Sequence, residues 1–237
     1  FGAESDAPGE GIWSLVSHAL MNDDDGWLRE HFRDIQRRVD WIQRMLRATK
    51  PLRALTENRR ASAYNTPGST VLCLPAENGC IHGRMDWHSP DFYINCWALA
   101  GLRWAADAAL RLGRTETAEW AADAETLEAA MARALMPTYG NARDPVVAPY
   151  PKGAFETPAY RAMLRKRFIE WYRTHRLDER GERVREPLWT YFEAAQIHNA
   201  ILLNFKEEAW ACLGGMLDDA FDLWLTAAWI EGPPAGG

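Results

Sequence analysis

The sequence contains no apolar run approaching the roughly 18 to 20 residues that a membrane-spanning helix needs, and it does not open on a basic segment followed by an apolar one. The expectation is no membrane partner and a soluble chain, placed in the cytoplasm with secretion left open. Basic residues are also in short supply: 27 Lys and Arg stand against 33 Asp and Glu, a formal net charge of −6. A phosphate backbone selects for a basic face, so nucleic acid is not an expected partner, whereas a neutral ligand in an acidic cleft suits this balance. Cysteine is scarce. The four residues Cys73, Cys80, Cys96 and Cys212 lack the C-x-x-C spacing of zinc or redox sites. They read as buried free thiols, with a Cys73–Cys80 bridge left open. G-x-S-x-G, the phosphate-binding loop and the dinucleotide fingerprint are missing as well, so no cofactor and no resident metal are expected.

What is present is enough apolar residue for one substantial core: 237 residues, 47% hydrophobic and 25% charged, read as a single domain over 1–237. Tryptophan is abundant at 12 residues, more than core filling alone requires. An indole is favoured where a flat apolar ring must pack while its N–H finds a partner, as in a sugar-binding cleft.

The most informative stretch is Gly83 to Gly113, a polar, acid-bearing loop running into a long apolar helix. Ser89 is placed as N-cap, Pro90 at the first helical position and Asp91 in the first turn. Phe92, Tyr93, Cys96, Trp97, Leu99, Ala100, Leu102 and Trp104 then cover nearly every side, leaving Arg103, Asp107 and Arg111 as a polar stripe. Such a helix must be buried almost all round. Gly113 supplies the left-handed residue that ends it.

An alternation of buried and half-buried helices organises the chain. Phe1 to Gly9 reads as a loop, and Ile12–Met21 is apolar on more than one face. After a turn at Asn22–Asp25, Leu28, Phe32, Ile35, Val39, Ile42 and Leu46 mark one face of an amphipathic helix. The helix from Pro90 is followed by Glu116–Leu135, N-capped by Thr115, with Trp120, Ala124, Leu127, Met131 and Leu135 inward. Pro187–Leu203 is again apolar nearly all round, and Lys206–Ala220 follows with Ala209, Leu213, Met216 and Leu217 inward. Each second helix carries a tryptophan early on, in DGWL, AEWA and EAWA. Repeated helical hairpins predict a solenoid or a closed toroid. Short turns join the helices of each pair, while long connections, roughly Ala48–Ser89 and Met136–Glu186, join successive pairs. The first holds a short strand, Thr70–Leu74; the second holds a basic helix, about Pro158–His175, before a charged turn over Leu177–Arg185.

The segments GIWSLVSHALMNDDDGWLREHFRDIQRRVDWIQRML, DWHSPDFYINCWALAGLRWAADAALRLGRTETAEWAADAETLEAAM and EPLWTYFEAAQIHNAILL resemble the inner and outer helix pairs of the six-hairpin glycosidase superfamily. The resemblance implies an all-α toroid, a cavity at one end of its ring of inner helices, and hydrolysis of glycosidic bonds by two carboxyl groups, usually with inversion. Three to four hairpins are present where that ring has six. The chain is thus expected to be a partial toroid, completed by further sequence or by a homo-oligomeric partner.

If the inner helices run parallel around a ring, every connection from an outer to an inner helix reaches the same rim and its acids converge there. These are Glu10, Asp86, Asp91, Glu186 and Glu231. Asp86, between Met85 and Trp87, is assigned as general acid, since a dry aromatic wall holds a carboxyl protonated and GRMDWHSPD is similar to the acid-bearing motif of some toroidal glycosidases. Glu231, beside Trp229, is assigned as general base. Asp91 reads as a helix-start carboxylate. Glu10, Trp13, Trp87, His88, Tyr93, Glu186, Trp189 and Trp229 are assigned to bind the carbohydrate, and Asn95, Gln196 and His198 are further candidates to bond its hydroxyls. His88 with Asp86 and Asp91 matches no standard metal-ligand spacing. Two rivals use the same surface: sugar epimerisation or polysaccharide β-elimination through His88, His198 and Tyr93, and a helical carbohydrate-binding or interaction module without catalysis.

Overall fold

A computed structural model describes residues 4–53, 71–85, 89–135, 158–183 and 190–222, with the backbone alone described at 160, 190–192 and 218–222. The chain divides into two compact units; the described residues up to 135 belong to the first and those from 158 onward to the second. The described residues are mostly helical, as expected, with one small antiparallel sheet.

In the first unit, helix α1 spans Ala7–Asn22 and begins about five residues earlier than the pattern at Ile12 suggests. Proline costs a first turn nothing, so Pro8 is accommodated there. Gly9, which resembles a loop residue in sequence, is buried inside the helix at its contact with a neighbour. Glu10 therefore sits in the first helical turn instead of a connecting loop. Asp23, at φ 51°, closes the helix, and Asp24 caps the next by accepting from the Trp27 amide at 2.8 Å. Helix α2, Asp25–Leu46, buries Leu28, Phe32, Ile35, Val39, Ile42 and Met45, so only the last inward position differs from the expected Leu46.

Strands β1 (Leu52–Arg53), β2 (Val71–Leu74) and β3 (His82–Gly83) form the sheet in that order. β2 matches the predicted strand to one residue. The two-residue strands beside it are too short to leave a periodicity in sequence.

Helix α3, Asp91–Arg111, starts one residue later than expected. Pro90 takes the cap position at a non-helical ψ of 76°, and the Ser89 carbonyl, not its side chain, accepts from the Asp91 amide at 3.0 Å. Its far end behaves as predicted. Gly113 lies at φ +65°, its amide bonds Leu110 O at 3.0 Å, and the Arg114 amide bonds Ala109 O at 2.8 Å, the paired closure of a left-handed C-terminus. Fourteen buried residues, from Phe92 to Ala109, make α3 the centre of this unit. Helix α4, Thr117–Ala134, is led by Glu116 instead of Thr115, and the Glu116 carboxylate accepts from Gln36 of α2 at 2.8 Å.

Two hairpins thus lie side by side. Glu10 meets Tyr93, Trp13 meets Trp97, and Asp23 and Asp25 meet Arg111, so α1 and α3 run in the same direction. Their backbones touch: a Cβ on Gly101 would stand 2.8 Å from Gly9 Cα, and one on Gly9 would stand 2.2 Å from the Trp97 carbonyl oxygen. α2 and α4 meet through the buried Phe32 and Trp120 rings, 5.8 Å between centroids, and through long polar side chains. Gln43 donates to Glu119 at 2.9 Å and to Asp123 at 2.7 Å, and Arg47 reaches Asp123 at 3.4 Å.

The second unit contains α5 (Pro158–Arg176), α6 (Thr190–Leu202) and α7 (Lys206–Asp222). α5 matches the predicted basic helix and packs by Leu164 and Phe168, the latter stacked on Phe205 at 5.1 Å. Two of its cations have a specific task. Arg161 and Arg165 donate to the Leu202 and Leu203 carbonyls, where α6 leaves acceptors open. In the charged turn the Asp178 carboxylate accepts from the Arg180 and Glu182 amides, both at 2.8 Å, and Gly181 takes φ +78°.

The tryptophans of α4 and α7 are not equivalent: Trp120 is buried, whereas Trp210 is 73% exposed. Nor is α6 apolar all round, because Glu193, Gln196 and Asn199, spaced three residues apart, are buried while Ile201 is exposed.

Candidate functional site

Three assigned residues fall together at the N-terminal ends of α1 and α3. The Tyr93 hydroxyl donates to Glu10 Oε1 at 3.3 Å, and the Trp97 ring lies edge-on to both Trp13, at 5.8 Å between centroids, and Tyr93, at 6.5 Å. Helical spacing explains the convergence: Tyr93 and Trp97 are four residues apart on α3, Glu10 and Trp13 are three apart on α1, and the glycine contact presses the two rows together.

Asp6 and Trp97 complete the group, and neither stands out in the sequence as functional. Asp6 occupies the N-cap position of α1 without a side-chain capping bond, and its Oδ1 is buried with no hydrogen-bond partner. Burial, reinforced by the Glu10 charge, pushes its carboxyl up to about 7. Burial also raises Glu10, with the Tyr93 hydrogen bond opposing it. The Trp97 Nε1 donor is likewise buried with no partner, although Trp97 reads in sequence as ordinary core. The four-residue spacing of Asp6 and Glu10 would have signalled the pair once the helix start was placed at Ala7.

The sheet fastens these helix ends. The Ser5 amide bonds Arg84 O at 2.8 Å and its hydroxyl donates to Leu72 O at 2.7 Å, which pins the entry to α1 against β2. Asn95, a candidate for sugar contact by type, is fully occupied within the fold. Its amide donates to Ile81 O at 2.8 Å and Asp91 O at 2.7 Å, and its oxygen accepts from the Ile81 amide at 2.8 Å. Asn95→Ala should therefore cost about 2 kcal/mol, because Ile81 keeps two buried backbone groups without partners. Chemical denaturation measures this, and an unchanged midpoint would contradict the clamp. Asp91, as expected of a helix-start carboxylate, has a structural partner: its Oδ2 lies 2.8 Å from Nδ1 of His82, whose Nε2 lies 3.1 Å from Asn78 Oδ1.

Asp86, Trp87, His88, Glu186, Trp189, Trp229 and Glu231 lie outside the described residues. In the second unit His198 is exposed and Gln196 is buried in the polar row of α6. Arg176 meets Glu193 there through two hydrogen bonds, Nε to Oε1 at 3.1 Å and Nη2 to Oε2, and stacks on Trp171 at 4.8 Å. Removing either partner of such a buried pair strands the other, so this row reads as a structural element.

All four cysteines are buried and none forms a disulfide. Burial raises Cys73, takes Cys80 to about 11, and with Glu193 takes Cys212 to about 12, which leaves these three un-ionised at neutral pH. Among the described residues no group of three or more His, Cys, Asp or Glu is placed to hold a metal ion, and no helix is long and apolar enough to cross a membrane. No protein-family model matches the chain, and no curated protein or solved structure matches it either.

Proposed function

We propose that this chain forms part of an α/α toroid that hydrolyses glycosidic bonds, with Asp86 as general acid and Glu231 as general base. Glu10, Trp13 and Tyr93 hold the sugar in this reading, with Trp87, His88, Glu186, Trp189 and Trp229 as further proposed sugar-binding residues. Ring closure by further sequence or by a second copy belongs to the same proposal.

The observation that carries it is the parallel, closely packed pair α1 and α3. Parallel inner helices bring their N-terminal ends to one rim, and this rim carries an acid, a tyrosine hydroxyl and two indoles side by side. Sugars use these groups, stacking a C–H face on an indole and donating hydroxyl protons to a carboxylate. A glycosidic oxygen also needs a protonated acid to leave, and the raised Asp6 and Glu10 carboxyls indicate how strongly burial acts at this rim.

Release of reducing sugar from a panel of glycosides tests the reading. Asp86→Asn is expected to lower turnover by about 10²-fold or more while sugar binding persists. Retained turnover overturns the assignment. Loss of turnover on changing His88 or Tyr93, with Asp86→Asn active, transfers the chemistry to epimerisation or β-elimination, and binding without turnover in the wild type favours the non-catalytic module.

A further inference from the structure

At the crossing of α1 and α3, two buried polar atoms of opposite kind lack partners. Asp6, 3% exposed, presents an acceptor in Oδ1, and Trp97, 7% exposed, presents a donor in its indole N–H. They sit on facing turns, since Gly9, one turn after Asp6, packs on the Trp97 carbonyl. The Trp97 ring is flanked by Trp13 and Tyr93, and Tyr93 in turn bonds Glu10, one helical turn from Asp6. Orphaned buried donors and acceptors are rare and costly, of order 1–3 kcal/mol each, and two at one crossing call for an occupant.

We infer that Asp6, Glu10, Tyr93 and Trp97 form a subsite for a hydroxyl group of a neutral ligand, with the indole donating to the hydroxyl oxygen and a carboxyl accepting its proton. The chemistry of the atoms selects this class. An ammonium group has no lone pair for the indole N–H, a carboxylate has no proton for Asp6 and is repelled by Glu10, and an apolar group satisfies neither atom. Only a group that accepts and donates at once fits both orphans. The aromatic edges of Trp13 and Tyr93 beside it suit the C–H surface of a sugar or a cyclic polyol. The raised Asp6 carboxyl, held near neutrality by burial and by Glu10, agrees with an uncharged guest.

The subsite deepens the glycosidase reading and rests on it only for the identity of the ligand as a sugar; the test reads binding, so the two fail separately. Neutral hexoses, pentoses and inositol, each titrated up to tens of millimolar, are followed by ¹H–¹⁵N spectra of the indole N–H groups. The Trp97 resonance, identified by its loss in Trp97→Phe, is expected to shift on binding. Trp97→Phe removes the donor but keeps a ring, and it should weaken binding about tenfold, as should Asp6→Leu, with thermal melts showing that both variants remain folded. Equal affinity of folded Trp97→Phe and wild type overturns the subsite, as does a Trp97 resonance unmoved by every sugar, which assigns a water molecule to the crossing. Weakened binding in Trp97→Phe with full turnover in Asp86→Asn keeps the subsite and removes the proposed general acid.

Discussion

Alanine at Gly9 is expected to destabilise the first unit by about 3 kcal/mol, and alanine at Gly101 by about 2 kcal/mol, the opposite of what intrinsic helix propensity alone dictates. In an open helix interior, glycine to alanine adds up to about 1 kcal/mol, because glycine loses the most backbone entropy on folding. At these two positions the added methyl has nowhere to go. It would meet the Trp97 carbonyl oxygen at 2.2 Å in one case and Gly9 Cα at 2.8 Å in the other, and both obstacles are backbone, which cannot rotate aside. The helices must therefore separate, with loss of packing along Ile12, Val16, Ala98 and Leu102. Gly214 of α7 is the internal control, since a methyl there meets nothing within 4 Å and should be neutral to stabilising by up to about 1 kcal/mol. Urea unfolding of the three variants decides it: an order in which Gly9→Ala or Gly101→Ala matches Gly214→Ala would refute the backbone contact. Functional consequences follow from the same geometry, because the glycine contact also sets the distance between Glu10 and Tyr93.

The second large effect concerns pH. Asp6 is held at about 7 in the folded chain, against 3.8 ordinarily, by burial first and by Glu10 second. At acid pH, below the ordinary value, the folded and unfolded chains are both protonated and the group contributes nothing. Between the two values the folded chain binds more protons than the unfolded one, so stability falls as pH rises, and above about 7 the loss is complete. A shift of about three units corresponds to roughly 4 kcal/mol. Asp6→Asn keeps the shape and removes the charge. It should leave the melting temperature unchanged near pH 4 and raise stability by about 2–4 kcal/mol at pH 8. Parallel melts of wild type and variant across pH 4–8 would show the two curves diverging; curves that stay parallel would mean that Asp6 ionises freely in the folded chain.

Much of the secondary structure was legible because its signals are local. The four- and three-residue spacing from Leu28 to Ile42 places α2, the Gly113 closure ends α3, and the aromatic stripe within RAMLRKRFIEWYRTHR marks α5. The readings that moved did so where a remote partner replaced a local rule. Thr115 and Ser89 are good caps by residue type, yet the positions next to them lead the helices, with Glu116 engaged by Gln36 of α2. Phe1 to Gly9 reads as a loop, since nothing within five residues tells that Gly9 is kept small for the backbone of α3. The site was legible in part for the same reason. Glu10, Trp13 and Tyr93 are candidates by residue type and place in the chain, and the fold brings them together, whereas Asp6 reads as part of a loop and Trp97 as part of an apolar run. Asn95, chosen for its amide, belongs to the clamp on Ile81.

By itself the sequence determined the hairpin rhythm, the helix faces and the gathering of acids and indoles near helix starts. These depend on periodicities of three, four and two residues that a short window contains. The tertiary structure alone decided that α1 and α3 run parallel with their backbones in contact, that one carboxyl oxygen of Asp6 and the indole N–H of Trp97 are buried there without partners, and that α6 buries a polar row. Desolvation and close approach are set by groups dozens of residues away: Gly9 and Trp97 stand 88 positions apart in the chain and meet only because two helices cross there.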